Sequence, residues 1–130
     1  MVTWNAPAGP PAVFAMLRAR RNRDDSRYLL LVRMDMAHDH EATVNEIYEK
    51  DHIPALTAVP GVGTATRYRH SSPTDPRYIA AYEIDSPAVI QSPEWKAAAE
   101  YGRWPKEGRP HNMNRISATY EWVGSAAGLT

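Results

Sequence analysis

The sequence of 130 residues contains no cysteine, so it can form neither a disulfide nor a thiolate metal site and has no cysteine nucleophile. This composition is typical of a cytoplasmic protein, and we expect that location. The chain also has no excess charge of either sign, because 15 basic residues balance 15 acidic ones. A neutral chain gives no electrostatic reason to expect nucleic acid or an anionic membrane as a partner.

Long apolar runs and glycine-rich loops are also missing. No run approaches the roughly 18 apolar residues of a membrane-spanning helix. Because there is no glycine-rich phosphate loop, no nucleotide or dinucleotide cofactor is indicated. The length and the 43% of apolar residues indicate one domain with a core of ordinary size.

The two ends of the chain differ from its middle. Residues 1–27 are rich in proline and arginine and predict an N-terminal arm, either mobile or packed on a partner subunit. Residues 28–123 contain all the strongly patterned segments and form the predicted domain. Residues 124–130 are a tail of small residues.

The middle of the chain predicts four strands and two helices. The first helix should open near Asp39 and stop near His52, because Pro54 disfavours helical geometry at the residue before it. Pro54 should then start a further short turn. The second should begin after Ser86 and be interrupted at Ser92. The strands are expected at residues 28–36, 62–70, 77–85 and 115–123. This βαββαβ order predicts an α+β, ferredoxin-like fold, an antiparallel four-stranded sheet with two helices on one face.

The strand at 77–85 is apolar on both faces. Tyr78, Ala80 and Tyr82 share one face, whereas Ile79 and Ala81 share the other. Helices on one side of the sheet can cover only one of these faces. The other would expose a larger apolar patch than soluble monomers usually show, so we predict a homodimer.

Tyr48 and His52 are the first candidate site residues. Four residues apart on a helix, they lie on neighbouring turns of one face. A phenol hydroxyl beside an imidazole can bind and move protons near neutral pH. The same spacing is also typical of core packing with a satisfied polar edge.

Further polar candidates lie on a strand and on a loop. Arg67 could bind an enolate or carboxylate oxygen, or it could pair with Glu83 across the hairpin. His111 lies just before the last strand, where it is either a site residue or a surface residue capping the loop. His38 and His40 have the spacing of a metal pair but lack a third ligand, so no metal site is predicted.

From residue 28 to 123 the chain resembles the dimeric α+β barrel superfamily, most closely its EthD-like branch. The first 27 residues lie outside this resemblance. It is carried by the segments Tyr48-x-x-x-His52-Ile53-Pro54, Val59-Pro60-Gly61-Val62, Arg67-Tyr68, Tyr82-Glu83, Ser86-Pro87, Ser92-Pro93-x-Trp95 and Arg109-Pro110-His111.

The resemblance implies a dimeric barrel with a pocket between the sheet and the helices of each subunit. Members include cofactor-free cyclases, quinone-forming monooxygenases, lactone isomerases, haem-degrading enzymes and EthD-like proteins of unclear activity. Plant-type cyclases carry His-Pro-x-His where this chain has Ser92-Pro93-Glu94-Trp95, so their catalytic histidine is replaced by Trp95. His52 could act as an axial haem ligand, but no second feature supports haem.

The function we expect is proton transfer on a small hydrophobic carbonyl compound, aromatic or polyketide-like, by a cyclase, isomerase or lyase that needs no cofactor. His52 would be the general base, held by Tyr48 or Asp51, and Arg67 or His111 would stabilise the oxyanion. The alternatives are a cofactor-free monooxygenase and a non-catalytic binding protein. Substrate contacts are expected from the aromatic residues Trp95, Tyr82, Tyr68 and Trp104.

Overall fold

The computed structural model describes residues 2–3, 28–72 and 77–124. In this part of the chain, five antiparallel strands form one sheet, in the order β1-β3-β4-β2-β5. The strands are β1 (Val2–Thr3), β2 (Tyr28–Met36), β3 (Val62–Arg69), β4 (Tyr78–Ile84) and β5 (Asn112–Glu121). The four longer strands and the helical segments between them confirm the predicted ferredoxin-like α+β fold.

The N-terminal arm predicted from the sequence is described only at β1. There Val2 pairs with Arg67 and Thr3 with Thr66, so β1 adds a short edge strand to this chain's own sheet. The rest of the predicted arm, and the predicted tail from residue 125 onward, lie outside the described residues.

The first helical segment is longer than predicted. Helix α1 (Glu41–Ile47) runs into a π-helical turn at Tyr48–His52, and α2 (Ile53–Thr57) follows with Ile53 still helical. The expected break in helical geometry at Ile53 is therefore wrong, whereas the further short turn expected from Pro54 is present as α2. In the π turn the Ile53 N–H donates to the Tyr48 carbonyl five residues earlier. Pro54 then falls in the first turn of α2, where its missing N–H costs little.

The second helical segment is interrupted where the sequence predicts. A 3₁₀ turn at Pro87–Gln91 is followed by helix α3 (Pro93–Ala99). The Ser92 Oγ accepts a hydrogen bond from the Trp95 N–H at 3.1 Å, and Ser86 caps the 3₁₀ turn in the same way. Each serine satisfies an N–H that the helical ladder leaves unpaired. This cap fixes Trp95 at the start of α3.

Strand β5 begins three residues earlier than predicted and contains a bulge. Ile116 pairs with Arg33, but Met113 pairs with Asp35, so β5 has one more residue than β2 between these two pairs. Asn114 lies inside the bulge in the left-handed region, at φ 53°. Asparagine tolerates this conformation better than most residues, which suits it to the position.

The bulge changes which side chains of β5 face the helices. Because one extra residue reverses the alternation of a strand, Asn112 and Arg115 come to the same face although they are three positions apart. Asn112 pairs with Met36, a core residue of β2. The Asn114 Nδ2 donates to the buried Asp35 carboxylate at 3.1 Å and so holds the bulge against β2.

The two faces of the sheet differ in cover. The inner face packs under the helical segments and supplies the buried side chains of β2 and β4. The outer face is only partly covered in a single chain. One row across it, in strand order, consists of Tyr68, Ile79, Arg33 and Ile116. At its two ends Tyr68 and Ile116 are 46% and 51% exposed, so an apolar surface faces away from the helices.

Within the described ranges, no helix has the length and the apolar character needed to cross a membrane.

Candidate functional site

A cavity of about 330 Å³ lies between the inner face of the sheet and the helical segments. Strands β2, β4 and β5 form one wall, and the helical segments with the turns before β5 form the other. Its apolar and aromatic lining consists of Val32, Met34, Leu56, Ala99, Tyr48, Tyr82, Trp95 and Trp104. Its polar lining consists of His52, Arg109, Asn112 and Arg115. A concave, mainly apolar surface with a few converging polar groups is the usual form of a small-molecule site.

His52 sits in the aromatic part of this cavity. Its ring stacks on Trp104 with a centroid distance of 4.4 Å and meets the edge of Tyr48 at 5.0 Å. Its Nδ1 is buried and has no hydrogen-bond partner among the described residues. Burial, together with the positive charges of Arg109 and Arg115, lowers the pKa of His52 to about 3. The imidazole is therefore neutral at physiological pH.

The turn that carries Trp104 is built to support this stack. Trp104 begins a π-helical turn, Trp104–Gly108, so both stacked rings stand on wide helical turns. A Cβ at Gly108 would overlap the Trp104 ring, so glycine is needed there. The neighbouring Arg103 donates from its backbone N–H and from its guanidinium to Asp51, at 2.8 to 3.0 Å. These bonds tie the Trp104 turn to the turn that carries His52 and lower the pKa of Asp51.

Two buried tyrosines form the floor of the site. The hydroxyls of Tyr48 and Tyr82 lie 2.8 Å apart and share a hydrogen bond. Tyr48 also meets the edge of Trp104 at 5.1 Å, and Tyr82 meets the edge of Trp95 at 5.7 Å. Burial raises the pKa of both phenols, so both are neutral at physiological pH. The hydroxyl that accepts the shared bond keeps its own proton to donate.

Among the described residues, the polar wall has one cation with a carboxylate partner, Arg109, and one without, Arg115. Arg109 donates to the Glu100 carboxylate at 2.7 Å and to the Ala99 carbonyl at 3.0 Å. Within the described part of the chain, Arg115 makes one weak contact, to the Ser117 Oγ at 3.4 Å, and pairs with no carboxylate. The Asn112 Oδ1 is buried and finds no donor there. Arg115 and Asn112 thus retain binding capacity.

Five of the eight predicted site residues meet at the cavity. Tyr48, His52, Tyr82, Trp95 and Trp104 all line it. They come from separate segments of the chain, and the fold brings them to one place. Their chemical roles stay predictions.

Arg67 lies beside the cavity and not in its lining. It is buried between the sheet and the first helical segment, where it donates to Asn45 Oδ1 at 2.6 Å and Glu49 Oε2 at 3.1 Å. Its guanidinium carbon lies 4.7 Å from the centre of the Tyr48 ring. In this position Arg67 supports Tyr48 from behind.

Tyr68 and His111 also lie away from the cavity. Tyr68 is on the outer face of the sheet, since adjacent residues of a strand point to opposite faces. The His111 ring stacks on His40 with a centroid distance of 3.6 Å and an angle of 7°. Neither lines the site, and their proposed contacts to substrate stay untested predictions.

No group of three or more histidine, cysteine, aspartate or glutamate side chains that could hold a metal occurs in the described ranges. His38 and His40, which have the sequence spacing of a ligand pair, belong to no such group.

Asn112 and Arg115 were missed as site residues by sequence reasoning, and Arg109 was noticed without a role. The sequence carries only a partial signal for Arg115. In β5 the apolar residues Ile116, Ala118 and Tyr120 alternate with polar ones, which places Arg115 on the opposite face of the strand. Only the structure shows that this opposite face is the one that meets the helices, because an apolar face would ordinarily be expected to turn inwards. Asn112 carries no such signal, because the bulge breaks the alternation.

No protein-family model matches the chain, and no curated protein matches it.

Proposed function

We propose that the protein is a cofactor-independent enzyme that transfers protons on a small hydrophobic carbonyl compound, aromatic or polyketide-like. The observation that carries this proposal is the neutral His52 imidazole, stacked on Trp104 in a cavity of about 330 Å³ that also holds two phenols and two arginines. This set supplies a proton acceptor, proton donors and positive charge around one apolar volume.

In the proposed reaction, His52 takes a proton from the carbon next to the substrate carbonyl. The electron pair of the C–H bond moves to the carbonyl oxygen and forms an enolate. The Tyr48–Tyr82 pair stabilises this oxygen by hydrogen bonding. The imidazolium then returns the proton to another atom of the substrate, which completes an isomerisation, a cyclisation or the loss of a leaving group.

The low pKa of His52 is compatible with this role because the reaction itself raises that pKa. An imidazole with a pKa of about 3 is a weak base at neutral pH. An enolate forming in the cavity adds a negative charge near His52 and opposes the effect of Arg109 and Arg115. The pKa of His52 therefore rises as the proton is transferred.

The test compares wild type, His52→Ala and His52→Gln on a panel of aryl ketones and diketones, with product formation, oxygen uptake and ligand binding measured together. We expect both variants to lose roughly 10²- to 10⁴-fold in turnover. Full turnover in both variants would overturn the role of His52. Oxygen uptake by the wild type would instead indicate a cofactor-free monooxygenase, and binding without any turnover a carrier or accessory protein.

We propose further that the chain belongs to the EthD-like branch of the dimeric α+β barrel superfamily and acts as a homodimer. The ferredoxin-like fold, the place of the cavity and the sequence segments around Tyr48, His52 and Trp95 support the family. The partly uncovered outer face of the sheet, with Ile116 and Tyr120 about half exposed, supports a second copy packed against it. A cytoplasmic location stays a prediction from composition.

A further inference from the structure

The bulge in β5 has a consequence for the ligand. It brings Asn112 and Arg115 to the same face of the strand, and both line the cavity. Bulges are common next to active sites, where they redirect a side chain. Asn114, in the left-handed region, and its bond to Asp35 hold this arrangement.

The charges around the cavity are not balanced within the described residues. Arg109 is paired with Glu100, and His52 is neutral. Arg115 has only the 3.4 Å contact to Ser117 and no carboxylate partner there. Because it is exposed, it stands where the cavity meets solvent. A guanidinium binds a carboxylate through two parallel hydrogen bonds, which is the strongest pairing open to it.

Asn112 places a second chemical requirement on the ligand. Its Oδ1 is buried and lacks a donor in the described part of the chain, and a buried acceptor without a donor is costly. A carboxylate cannot meet this need, because it has no proton to give at neutral pH. A hydroxyl group on the ligand can.

From this geometry, and resting on the proposed function of the same cavity, we propose that the ligand is a hydroxylated aromatic carboxylate whose carboxylate binds Arg115 and whose hydroxyl donates to Asn112. The aromatic part lies against Trp95 and Trp104. The cavity volume of about 330 Å³ is at the lower end of the ~300–1,000 Å³ usual for ligand sites, which suits one or two rings.

Such a ligand also affects His52. Arg109 and Arg115 both lower its pKa, and a bound carboxylate opposes their charges. The substrate would thus bring with it part of the charge that makes His52 a stronger base.

The test measures binding to the full-length chain by quenching of tryptophan fluorescence. The probes are a naphthoate whose hydroxyl is too far from the carboxylate to bond to it internally, its methyl ester, and the naphthoate without the hydroxyl. We expect the hydroxy acid to bind about tenfold or more tightly than either analogue, as for one lost hydrogen bond to a charged or buried group. Equal affinity of acid and ester, or no binding by any probe, overturns the inference.

Variants assign the two contacts. Arg115→Gln should remove the preference for acid over ester while leaving ester binding unchanged, and Arg115→Lys should keep part of that preference. Asn112→Ala should remove only the preference for the hydroxyl. Arg69→Gln, an exposed arginine on β3, is the matched control and should bind like wild type. An unchanged acid preference in Arg115→Gln contradicts the assignment.

The two proposals fail separately. If the hydroxy acid binds through Arg115 and Asn112 but the His52 variants keep full turnover, only the proposed reaction is refuted. If turnover depends on His52 but the acid binds no more tightly than its ester, only the inferred ligand class is refuted.

Discussion

His52 is held neutral by its surroundings, and this lowers the stability of the folded chain in acid. Its pKa in the folded chain is about 3, against 6.5 for an unperturbed histidine. Between these two values the unfolded chain binds a proton that the folded chain does not. The folded state therefore loses stability as pH falls from about 6.5 towards 3, because protonation favours unfolding.

The first prediction follows from this linkage. As the pH falls from 7 to 5, protonation of His52 in the unfolded chain should lower the unfolding free energy by about 2 kcal/mol. His52→Gln should lose this pH dependence, whatever its stability at pH 7, because glutamine does not titrate. The measurement is urea unfolding at both pH values. His38→Gln, at an exposed position, is the control and should keep the wild-type dependence. The same slope in His52→Gln and wild type would contradict a buried neutral His52.

The second prediction concerns the Tyr48–Tyr82 pair. Removing either hydroxyl leaves the other buried without its partner, so Tyr48→Phe and Tyr82→Phe should each cost about 1–2 kcal/mol in unfolding free energy. The double variant should cost clearly less than the sum, because both polar groups are then gone. Tyr101→Phe, at a residue 60% exposed, should have little effect. Additive costs would show that the two hydroxyls do not interact.

At the scale of secondary-structure elements, the strands were predictable and two local irregularities were not. The strands follow from runs of apolar residues and alternation, which burial on one face enforces. The helix end was misplaced because Pro54 is an ordinary stop signal, whereas a π turn can accommodate it. The start of β5 was misplaced because the bulge at Asn114 interrupts the alternation. Both irregularities lie at the cavity, which is where local rules often fail.

The same rules explain which site residues could be found from the sequence. Tyr48 and His52 share a helical face, and Trp95 follows a recognisable serine cap, so local pattern was enough. Arg67 and Tyr68 are neighbours in a strand and point to opposite faces, so they could not both line one pocket. Pairing of Arg67 with Glu49 depends on how the first helical segment crosses the sheet, which no local pattern gives.

The third prediction tests the bulge in β5. Asn114→Gly keeps the left-handed backbone accessible and loses only the bond to Asp35, whereas Asn114→Ala loses both. We expect the Asn114→Ala variant to be less stable than the Asn114→Gly variant by about 1 kcal/mol. This is the reverse of the order of alanine and glycine in regular strands and helices. Thermal unfolding of the two variants provides the comparison. If Ala proves more stable than Gly, the left-handed geometry at Asn114 is wrong.

For the whole molecule, the outer face of the sheet is the feature that a single chain leaves unexplained. Leu31 pairs with Ala81 and Ala118 at its centre, and Ile116 and Tyr120 extend it to the β5 edge. Covering this surface with a second copy would remove apolar area from water at about 25 cal/mol per Å², which is enough to favour association when the area is large.

The fourth prediction is therefore a dimer of twice the 14.6 kDa chain at tens of micromolar, about the concentration range where such an interface should persist. Leu31→Glu should dissociate it by placing a charge at the centre of the interface. Tyr101→Glu, an exposed aromatic away from the sheet, is the matched control and should stay dimeric. Light scattering and sedimentation give the mass. A folded wild-type monomer would refute the assembly.

Proton exchange on a ketone tests the central claim, that this cavity transfers protons through His52, more directly than product analysis does. Aryl ketones such as tetralone exchange their α-protons slowly in neutral D₂O, and NMR follows the loss of the signal without knowledge of the natural substrate. We predict that wild type accelerates exchange and that His52→Gln lowers the catalysed rate by roughly 10²-fold or more, while Arg69→Gln leaves it unchanged. Equal rates for wild type and His52→Gln, or no rate above that without protein, would contradict the account.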